Sequence, residues 1–309
     1  RILIVCPASV VETWRREISR WACIYEKHFR VESYDRARGT NFKFLKEIGY
    51  DCVIVDEAHY CKTRTTQRTK AIFGEKCDGK GGLIENAASV YLLTGTPAPN
   101  NPAELWPMLR AVLPDAITPR DVDNNPSGKP MAYWPFAQHY CVLRDNGFGI
   151  EIVKGKNLDK LRERLKPFVL RRKKTDVLRD LPPVRFDTLL LSGFEAARAL
   201  RKLESGPEAA RIAGVLEKGE TLESIAPHVA SYRRAVGIAK VAPIVEWCGE
   251  WFEAGGGKLV LFAYHRDVIK SLKDALVDRG LCPVTIIGET TPQARQENID
   301  AFQNDSDCK

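Results

Sequence analysis

The sequence lacks the features that mark membrane, secreted or metal-cluster proteins. No uninterrupted apolar run of about eighteen residues occurs, so no membrane-spanning helix is predicted. No charged segment followed by a short apolar segment stands at its start, so no secretory signal is visible. Its nine cysteines never form C-x-x-C, which argues against a zinc site or a disulfide framework and favours buried, reduced thiols.

Positive charge is in modest excess and unevenly distributed. Lys and Arg number 47 against 40 acidic residues in a chain of 309, for a net charge of +7. The basic tract, residues 160–174 (KLRERLKPFVLRRKK), holds eight basic residues and one acid. A solvated helix face usually interleaves the two signs, so the basic tract favours a nucleic-acid or phosphate contact as much as a solvated surface.

Short apolar runs separated by helical patterns predict an α/β fold. ILIVCP, DCVIVDE and SVYLLTGTP have the continuous Val- and Ile-rich character of parallel strands that are covered on both faces. Between the first two, SVVETWRREISRWA predicts a helix with Ser9 and Glu12 as a capping box. Its apolar spacing predicts that Trp14 and Trp21 lie in the core.

The second half of the chain predicts helices followed by another α/β unit. Residues 136–180 and 194–250 have mainly helical patterns. KLVLFAY and CPVTIIGE predict strands, each followed by a helix, and Trp247 and Trp251 are predicted to be core residues.

Two adjacent acids follow the apolar run of residues 52–55. In a parallel sheet, ligands bind beyond the carboxyl ends of the strands, where Asp56 could hold magnesium and Glu57 could orient an attacking water. Two acids can also simply favour the positive end of a helix dipole. The order D-E-A-H directly after a strand is more specific than an acid pair alone.

The sequence resembles Swi/Snf-type ATPases, which belong to the superfamily-two helicases. VIVDEAH and YLLTGTP are similar to the family's DEAH box and T-G-T-P motif, and KPFVLRRKK to its arginine-pair linker. SYD, GIAK and IGET resemble the annealing-helicase-like, HepA-related branch. A DEAH-type RNA helicase is the alternative within the superfamily, but such proteins usually carry S-A-T and lack the R-R-x-K linker.

The resemblance implies two RecA-like lobes with helical insertions. Residues 1–183 would form the first lobe with a helical protrusion and the linker, 184–235 a helical insertion, and 236–309 the first half of the second lobe. It also implies ATP and magnesium as ligands, and duplex or branched DNA as the partner, together with DNA-bound proteins. The protein would be nuclear in a eukaryote and nucleoid-associated in the cytoplasm of a bacterium or phage-infected cell.

The resemblance assigns roles to particular residues. Asp56 would hold magnesium, Glu57 would serve as general base, and His59, otherwise a packed loop histidine, would bridge them to the coupling motif. That motif is Thr94, Gly95, Thr96 and Pro97, which on their own are ordinary turn formers. The expected DNA contacts, some equally compatible with a solvated surface, are Ser9, Tyr34, Arg64, Arg68, Arg171, Arg172, Lys174, His265 and Arg266.

No phosphate-binding loop is recognisable. GEKCDGKGG satisfies G-x-x-x-x-G-K through Gly74, Gly79 and Lys80, but Gly81 stands where a magnesium-binding hydroxyl is needed. The segment also follows a predicted helix rather than a strand, so we interpret it as a connecting loop. The resemblance places the phosphate loop before Arg1 and the last two helicase motifs after Lys309. The 309 residues alone are therefore expected to be inactive.

A second hypothesis is a catalytically idle DNA-binding or scaffold protein that keeps the helicase fold. The intact pair of Asp56 and Glu57 argues against it. A G-K-[ST] segment after a strand, in sequence preceding Arg1, would favour the enzyme.

Overall fold

A four-stranded parallel sheet forms the centre of the first of two units, Arg1–Leu181 and Pro182–Lys309, in the computed structural model. The described residues are 1–118, 128–147, 149–178, 180, 184–189, 198, 201–202, 204–217 and 222–309. The strands are β1 (Ile2–Cys6), β2 (Phe29–Ser33), β3 (Cys52–Asp56) and β4 (Ser89–Leu93), in the order β2-β1-β3-β4. This sheet confirms the predicted α/β class.

The sheet is covered on both faces, as its apolar strands require. Along β1, Leu3 and Val5 join the larger core cluster, whereas Ile4 and Cys6 join a second cluster with Ile18. This alternation puts successive side chains on opposite faces, so a strand that is apolar throughout must be buried on both sides. The helices of this unit are α1 (Val11–Ala22), α2 (Tyr34–Arg38), α3 (Phe42–Ile48), α4 (Gln67–Phe73), α5 (Trp106–Val112), α6 (Tyr133–Tyr140), α7 (Leu158–Leu165) and α8 (Lys174–Val177).

The predicted capping box at the start of α1 is wrong. A short 3₁₀ helix, Ala8–Val10, contains Ser9, and α1 begins only at Val11 without a side-chain cap. The capping pattern requires the serine to stand immediately before the helix. Here Ser9 lies inside the 3₁₀ helix, and Val10 is the residue that immediately precedes α1.

Residues 136–180 are not mainly helical, which corrects a second prediction. An antiparallel hairpin, β5 (Cys141–Asp145) and β6 (Ile150–Gly155), lies between α6 and α7. Its turn includes Asn146 and Gly147, and Gly147 has a φ of +83°. Asn and Gly are both favoured in turns, and Gly adopts positive φ without a steric cost. The turn chemistry therefore overrides the helical pattern of the surrounding sequence.

The second unit contains helices but, among its described residues, no paired strand. Residues 258–264 and 282–289, predicted as strands, have no β-ladder partner. Parts of both segments instead line an apolar cavity of about 430 Å³, and Phe262 is 95% exposed. A strand needs backbone partners, which an apolar sequence alone does not provide. The helices are α9 (Pro207–Glu217), α10 (Leu222–Ala239), α11 (Val241–Glu253), α12 (Arg266–Asp278) and α13 (Pro292–Asn304).

The helices predicted to follow residues 258–264 and residues 282–289 are confirmed as α12 and α13. α12 ends before Gly280, which has a φ of +80° and donates its N–H to the carbonyl of Val277 at 2.8 Å. The predicted region boundaries at 183/184 and 235/236 stay predictions, and residues 181–183 lie outside the described part. Within the described residues, no helix combines the length and the apolar character that a membrane span requires.

Candidate active site at the carboxyl end of β3

The two adjacent acids lie where an inner strand of the parallel sheet ends. Asp56 is the last residue of β3, and Glu57 follows it with φ 50° and ψ 48°. This left-handed conformation costs a residue other than glycine about 1–3 kcal/mol and is concentrated at functional sites. At Glu57 it takes the chain from the strand into the short 3₁₀ helix Ala58–Cys61. The backbone outlier therefore coincides with the predicted catalytic pair.

Hydrogen bonds hold the Asp56 carboxylate from two directions. Its Oδ1 accepts the backbone N–H of Glu57 at 2.9 Å, and its Oδ2 accepts the indole N–H of Trp14 at 2.8 Å. Each carboxylate oxygen has roughly two acceptor positions. The orientation of Asp56 is therefore set, while acceptor capacity remains for a cation.

His59 connects Glu57 to the turn after β4. Its Nδ1 lies 3.0 Å from Oε2 of Glu57 and 3.1 Å from Oγ1 of Thr94. The donor at the Thr94 contact depends on the tautomer of the ring; with a proton on Nδ1, His59 can donate to the Glu57 carboxylate, which only accepts hydrogen bonds. The Thr94 hydroxyl oxygen also accepts the backbone N–H of Thr96 at 3.1 Å. One imidazole thus links the end of β3 with the end of β4.

Tyr34 supports the backbone beneath the acids. It is only 5% exposed, and its hydroxyl donates to the carbonyl of Asp56 at 2.8 Å. Burial raises the pKa of Tyr34, and the adjacent Cys61 raises it further, so the hydroxyl stays protonated. Burial, with the charge of Asp56, also raises the pKa of Cys6 to about 12. These neutral neighbours add no charge beside the carboxylates.

The donor set fits magnesium carried by a nucleotide better than a permanent metal ion. No group of three or more His, Cys, Asp or Glu side chains suited to a metal occurs in the described part of the chain. Mg²⁺ is usually bound through one or two carboxylates together with substrate phosphates and waters. Asp56, with Glu57 beside it, provides the one or two carboxylates that such a magnesium ion needs.

The coupling motif is mostly exposed. Thr94 is half-buried, while Gly95, Thr96 and Pro97 are exposed to solvent. The structure therefore brings Asp56, Glu57, His59 and Thr94 together and leaves the rest of the turn accessible. The roles predicted for these residues stay predictions.

The predicted DNA contacts of the first unit fall into four groups. Ser9, Arg171 and Arg172 are exposed, whereas the burial of Tyr34 weighs against direct contact by its side chain. Lys174 begins α8, and its side chain lies outside the described part. Two arginines pack on rings: Arg64 lies 5.0 Å from the ring centre of Tyr133, and Arg68 lies 5.3 Å from that of Tyr60.

In the second unit, His265 and Arg266 stand at the start of α12. His265 is half-buried, and Arg266 is exposed and forms an ion pair with Glu289. This pair partly neutralises Arg266. Their predicted contact with DNA stays untested.

The predictions that four tryptophans lie in the core are wrong in part. One of these residues, Trp14, instead contributes a hydrogen bond to the candidate site. Trp21 is 75% exposed and Trp251 is 39% exposed, so neither is a core residue; Trp247 is half-buried. Trp14 is also half-buried, but its N–H reaches Asp56. A partly buried indole usually finds a hydrogen-bond acceptor, which is the only signal in the sequence that could have suggested this contact.

Comparison with known proteins shows the family to which the chain belongs. The chain aligns over 100% of its length with a Caenorhabditis elegans homologue of SWI/SNF-related matrix-associated actin-dependent regulator of chromatin subfamily A-like protein 1, at 26% identity and over 44% of that protein. It aligns equally fully with human DNA annealing helicase and endonuclease ZRANB3, at 23% identity and over 29% of that protein. The chain thus spans less than half the length of these relatives. Because residues 1–198 match the SNF2-related domain, the chain belongs to the SNF2-related, Swi/Snf-type family and resembles its annealing-helicase-like branch.

Proposed function

We propose that the full-length protein is a DNA-dependent ATPase that translocates along duplex DNA and remodels protein–DNA complexes or branched DNA. The observation that carries the proposal is the link from Glu57 through His59 to Thr94, at 3.0 and 3.1 Å. It connects the acid pair to an exposed turn on the neighbouring strand. The relatives' names, a regulator of chromatin and an annealing helicase, support DNA as the partner.

The residues of β3 would perform the hydrolytic step. Bound Mg²⁺ would supply positive charge against the nucleotide phosphates, and Asp56 would hold it. Glu57 would accept a proton from the water that attacks the γ-phosphorus, while the bond to the bridging oxygen breaks and ADP leaves. His59 would orient the Glu57 carboxylate through its Nδ1–H. The Thr94 hydroxyl, in contact with the same imidazole, would make the orientation of His59 depend on the position of the turn after β4.

The exposed basic residues would bind the phosphate backbone. Arg171 and Arg172 of the basic tract are exposed, and such contacts fix a protein on duplex DNA without reading its sequence. A translocase needs contacts of this kind because it must bind every successive step of the duplex equally. In a eukaryotic cell, the protein would act in the nucleus.

Triplex displacement tests the proposal directly. The full-length protein should remove a third strand from a duplex track when ATP is present, and should fail to do so with a non-hydrolysable ATP analogue. Removal of the third strand without nucleotide, or no removal under any condition, would contradict translocation. A duplex without the third-strand site, added as a competitor, controls for simple DNA binding.

A further inference from the structure

We propose that Trp14 is a positioning residue for Asp56, and that its indole N–H sets the orientation of the carboxylate that is to hold magnesium. The inference rests on the proposed function, because Asp56 has a metal to hold only if the protein binds a magnesium nucleotide. Trp14 lies on α1, 42 positions before Asp56 in the chain, and its Nε1 donates to Oδ2 at 2.8 Å. The bond therefore joins a helix on one face of the sheet to the end of an inner strand.

The backbone of Glu57 alone does not fix the Asp56 carboxylate. The Glu57 N–H binds Oδ1 at 2.9 Å, which restrains one oxygen. The terminal torsion of an aspartate side chain is broad and roughly two-fold. With only one hydrogen bond, the carboxylate can therefore still rotate about its Cβ–Cγ bond. A second donor on Oδ2 defines the carboxylate plane. Trp14 is that second donor.

The indole is itself held in place by its surroundings. Trp14 is half-buried and packs against the cluster that contains Ile4, Cys6 and the buried Ile18 of α1. Its N–H therefore approaches Asp56 from a side chain whose ring is restrained by packing. A flexible surface donor would not define a carboxylate plane in the same way.

Trp21 on the same helix provides a matched comparison. Its indole N–H donates to the carboxylate of Glu17, also at 2.8 Å, but its side chain is 75% exposed. The two tryptophans thus make the same kind of hydrogen bond with the same length. They differ in burial and in the acid that receives the bond, so Trp21→Phe controls for the loss of an indole N–H from α1.

Loss of a hydrogen-bond partner behind a metal ligand typically lowers metal affinity or activity by about 10- to 100-fold. We expect Trp14→Phe in the full-length protein to raise the Mg²⁺ concentration for half-maximal binding of a fluorescent ATP analogue by about that factor. Binding of the same analogue in EDTA should be unchanged, and so should the Mg²⁺ dependence of Trp21→Phe. Replacing Trp14 by benzothienylalanine, which keeps the two fused rings and removes only the N–H, should reproduce the shift if Trp14→Phe folds poorly.

The outcomes separate this inference from the function on which it rests. Wild-type Mg²⁺ dependence in both Trp14 variants would overturn the positioning role, even if their melting temperatures fall. An equal shift in Trp21→Phe would also overturn it, because the effect would then not depend on Asp56. If the wild-type protein shows no Mg²⁺-dependent nucleotide binding at all, the proposed function fails and this inference fails with it.

Discussion

At the scale of single residues, the site depends on hydrogen bonds between the ends of neighbouring strands. His59 lies between Glu57 on one side and Thr94 on the other, at 3.0 and 3.1 Å. Thr94 has no acidic or basic group, so its contribution to this link comes through its hydroxyl. The link can therefore be broken without changing the charge of the site.

Thr94→Val should weaken DNA-stimulated ATP hydrolysis and leave ATP binding intact. Valine keeps the shape of threonine and removes the hydroxyl, and the loss of one hydrogen bond of about 0.5–1.5 kcal/mol corresponds to a roughly 2- to 10-fold slower rate. Steady-state phosphate release with duplex DNA measures the effect. Thr96→Val is the control, because it keeps the backbone N–H that binds Oγ1 of Thr94. Equal losses in the two variants would show that the Thr94 hydroxyl has no special role.

His139 should make the first unit less stable in acid. Burial lowers its pKa from 6.5, and the cations Arg164, Lys160 and Lys156 lower it further. The unfolded state therefore binds the proton more readily than the folded state. The contribution of His139 to stability is complete above a pH of about 6.5 and is lost as the pH falls through the lower, folded-state pKa.

Thermal denaturation between about pH 7 and pH 5 tests this effect. His139→Gln, which cannot take up the proton, should show a smaller fall in melting temperature than the wild type. His28→Gln is the control because His28 is exposed, and it should behave like the wild type. The same pH dependence in His139→Gln and wild type would contradict the assignment.

The sequence predicted most of this residue-scale arrangement. The acid pair was predicted from its place after an apolar run, because ligands of parallel sheets bind beyond the carboxyl ends of the strands, and the roles of His59 and Thr94 were implied by the resemblance to the Swi/Snf-type family. Trp14 could not be assigned in the same way. Its helical spacing predicts a core position, and only the three-dimensional packing of α1 shows which acceptor its N–H finds.

At the scale of secondary-structure elements, the basic tract contains the clearest excess of charge. Arg162 is paired with Asp159 at 2.8 Å, but Arg171 and Arg172 are exposed beyond the end of α7. If both bind DNA phosphates, the Arg171→Ala/Arg172→Ala double variant should weaken duplex binding for all sequences. The slope of log affinity against log salt should become shallower by about 0.9 for each phosphate that the variant no longer neutralises.

Fluorescence anisotropy across a salt series measures that slope. Arg162→Ala is a suitable control, because its charge is already balanced by Asp159, and it should change the slope less. An unchanged slope in the double variant would remove Arg171 and Arg172 from the DNA surface. Loss of binding to only one base sequence would contradict an interaction with the phosphate backbone.

Elements with local signals were predicted well, and elements that need distant partners were not. The apolar runs of β1, β3 and β4 and the helical periodicity of α1, α12 and α13 are properties of the segments themselves. The hairpin β5–β6 was missed because the helical pattern was given more weight than Asn146-Gly147. Residues 258–264 and 282–289 are apolar enough for strands, but strand formation depends on backbone pairing that their own sequence does not specify.

At the scale of the whole molecule, the chain consists of two units with different degrees of sheet formation. The first has four paired parallel strands with apolar clusters on both faces. The described part of the second consists of helices and extended segments. The acid pair, His59 and Thr94 all belong to the first unit, so the candidate catalytic arrangement is formed within one sheet.

The absence of G-K-[ST] from the 309 residues affects how activity must be measured. A lysine and backbone amides around the phosphates are central to phosphoryl transfer, and the relatives are more than twice as long as this chain. Activity should therefore be measured on the full-length protein. The resemblance to the Swi/Snf-type family already implied a link through His59, and the structure adds the atoms that form it, with Nδ1 of His59 lying near both Oε2 of Glu57 and Oγ1 of Thr94.

DNA-stimulated phosphate release by the full-length protein beside its Glu57→Gln variant tests the catalytic role of the acid pair most directly. Glutamine keeps the size of the side chain but cannot accept the proton, so turnover with saturating duplex DNA should fall by roughly 10²–10⁴-fold. Binding of the magnesium nucleotide should remain close to that of the wild type. A Glu57→Gln protein that keeps about half of the DNA-stimulated rate, far above the range expected for loss of a general base, would contradict the assignment of the acid pair at the end of β3 as the catalytic site.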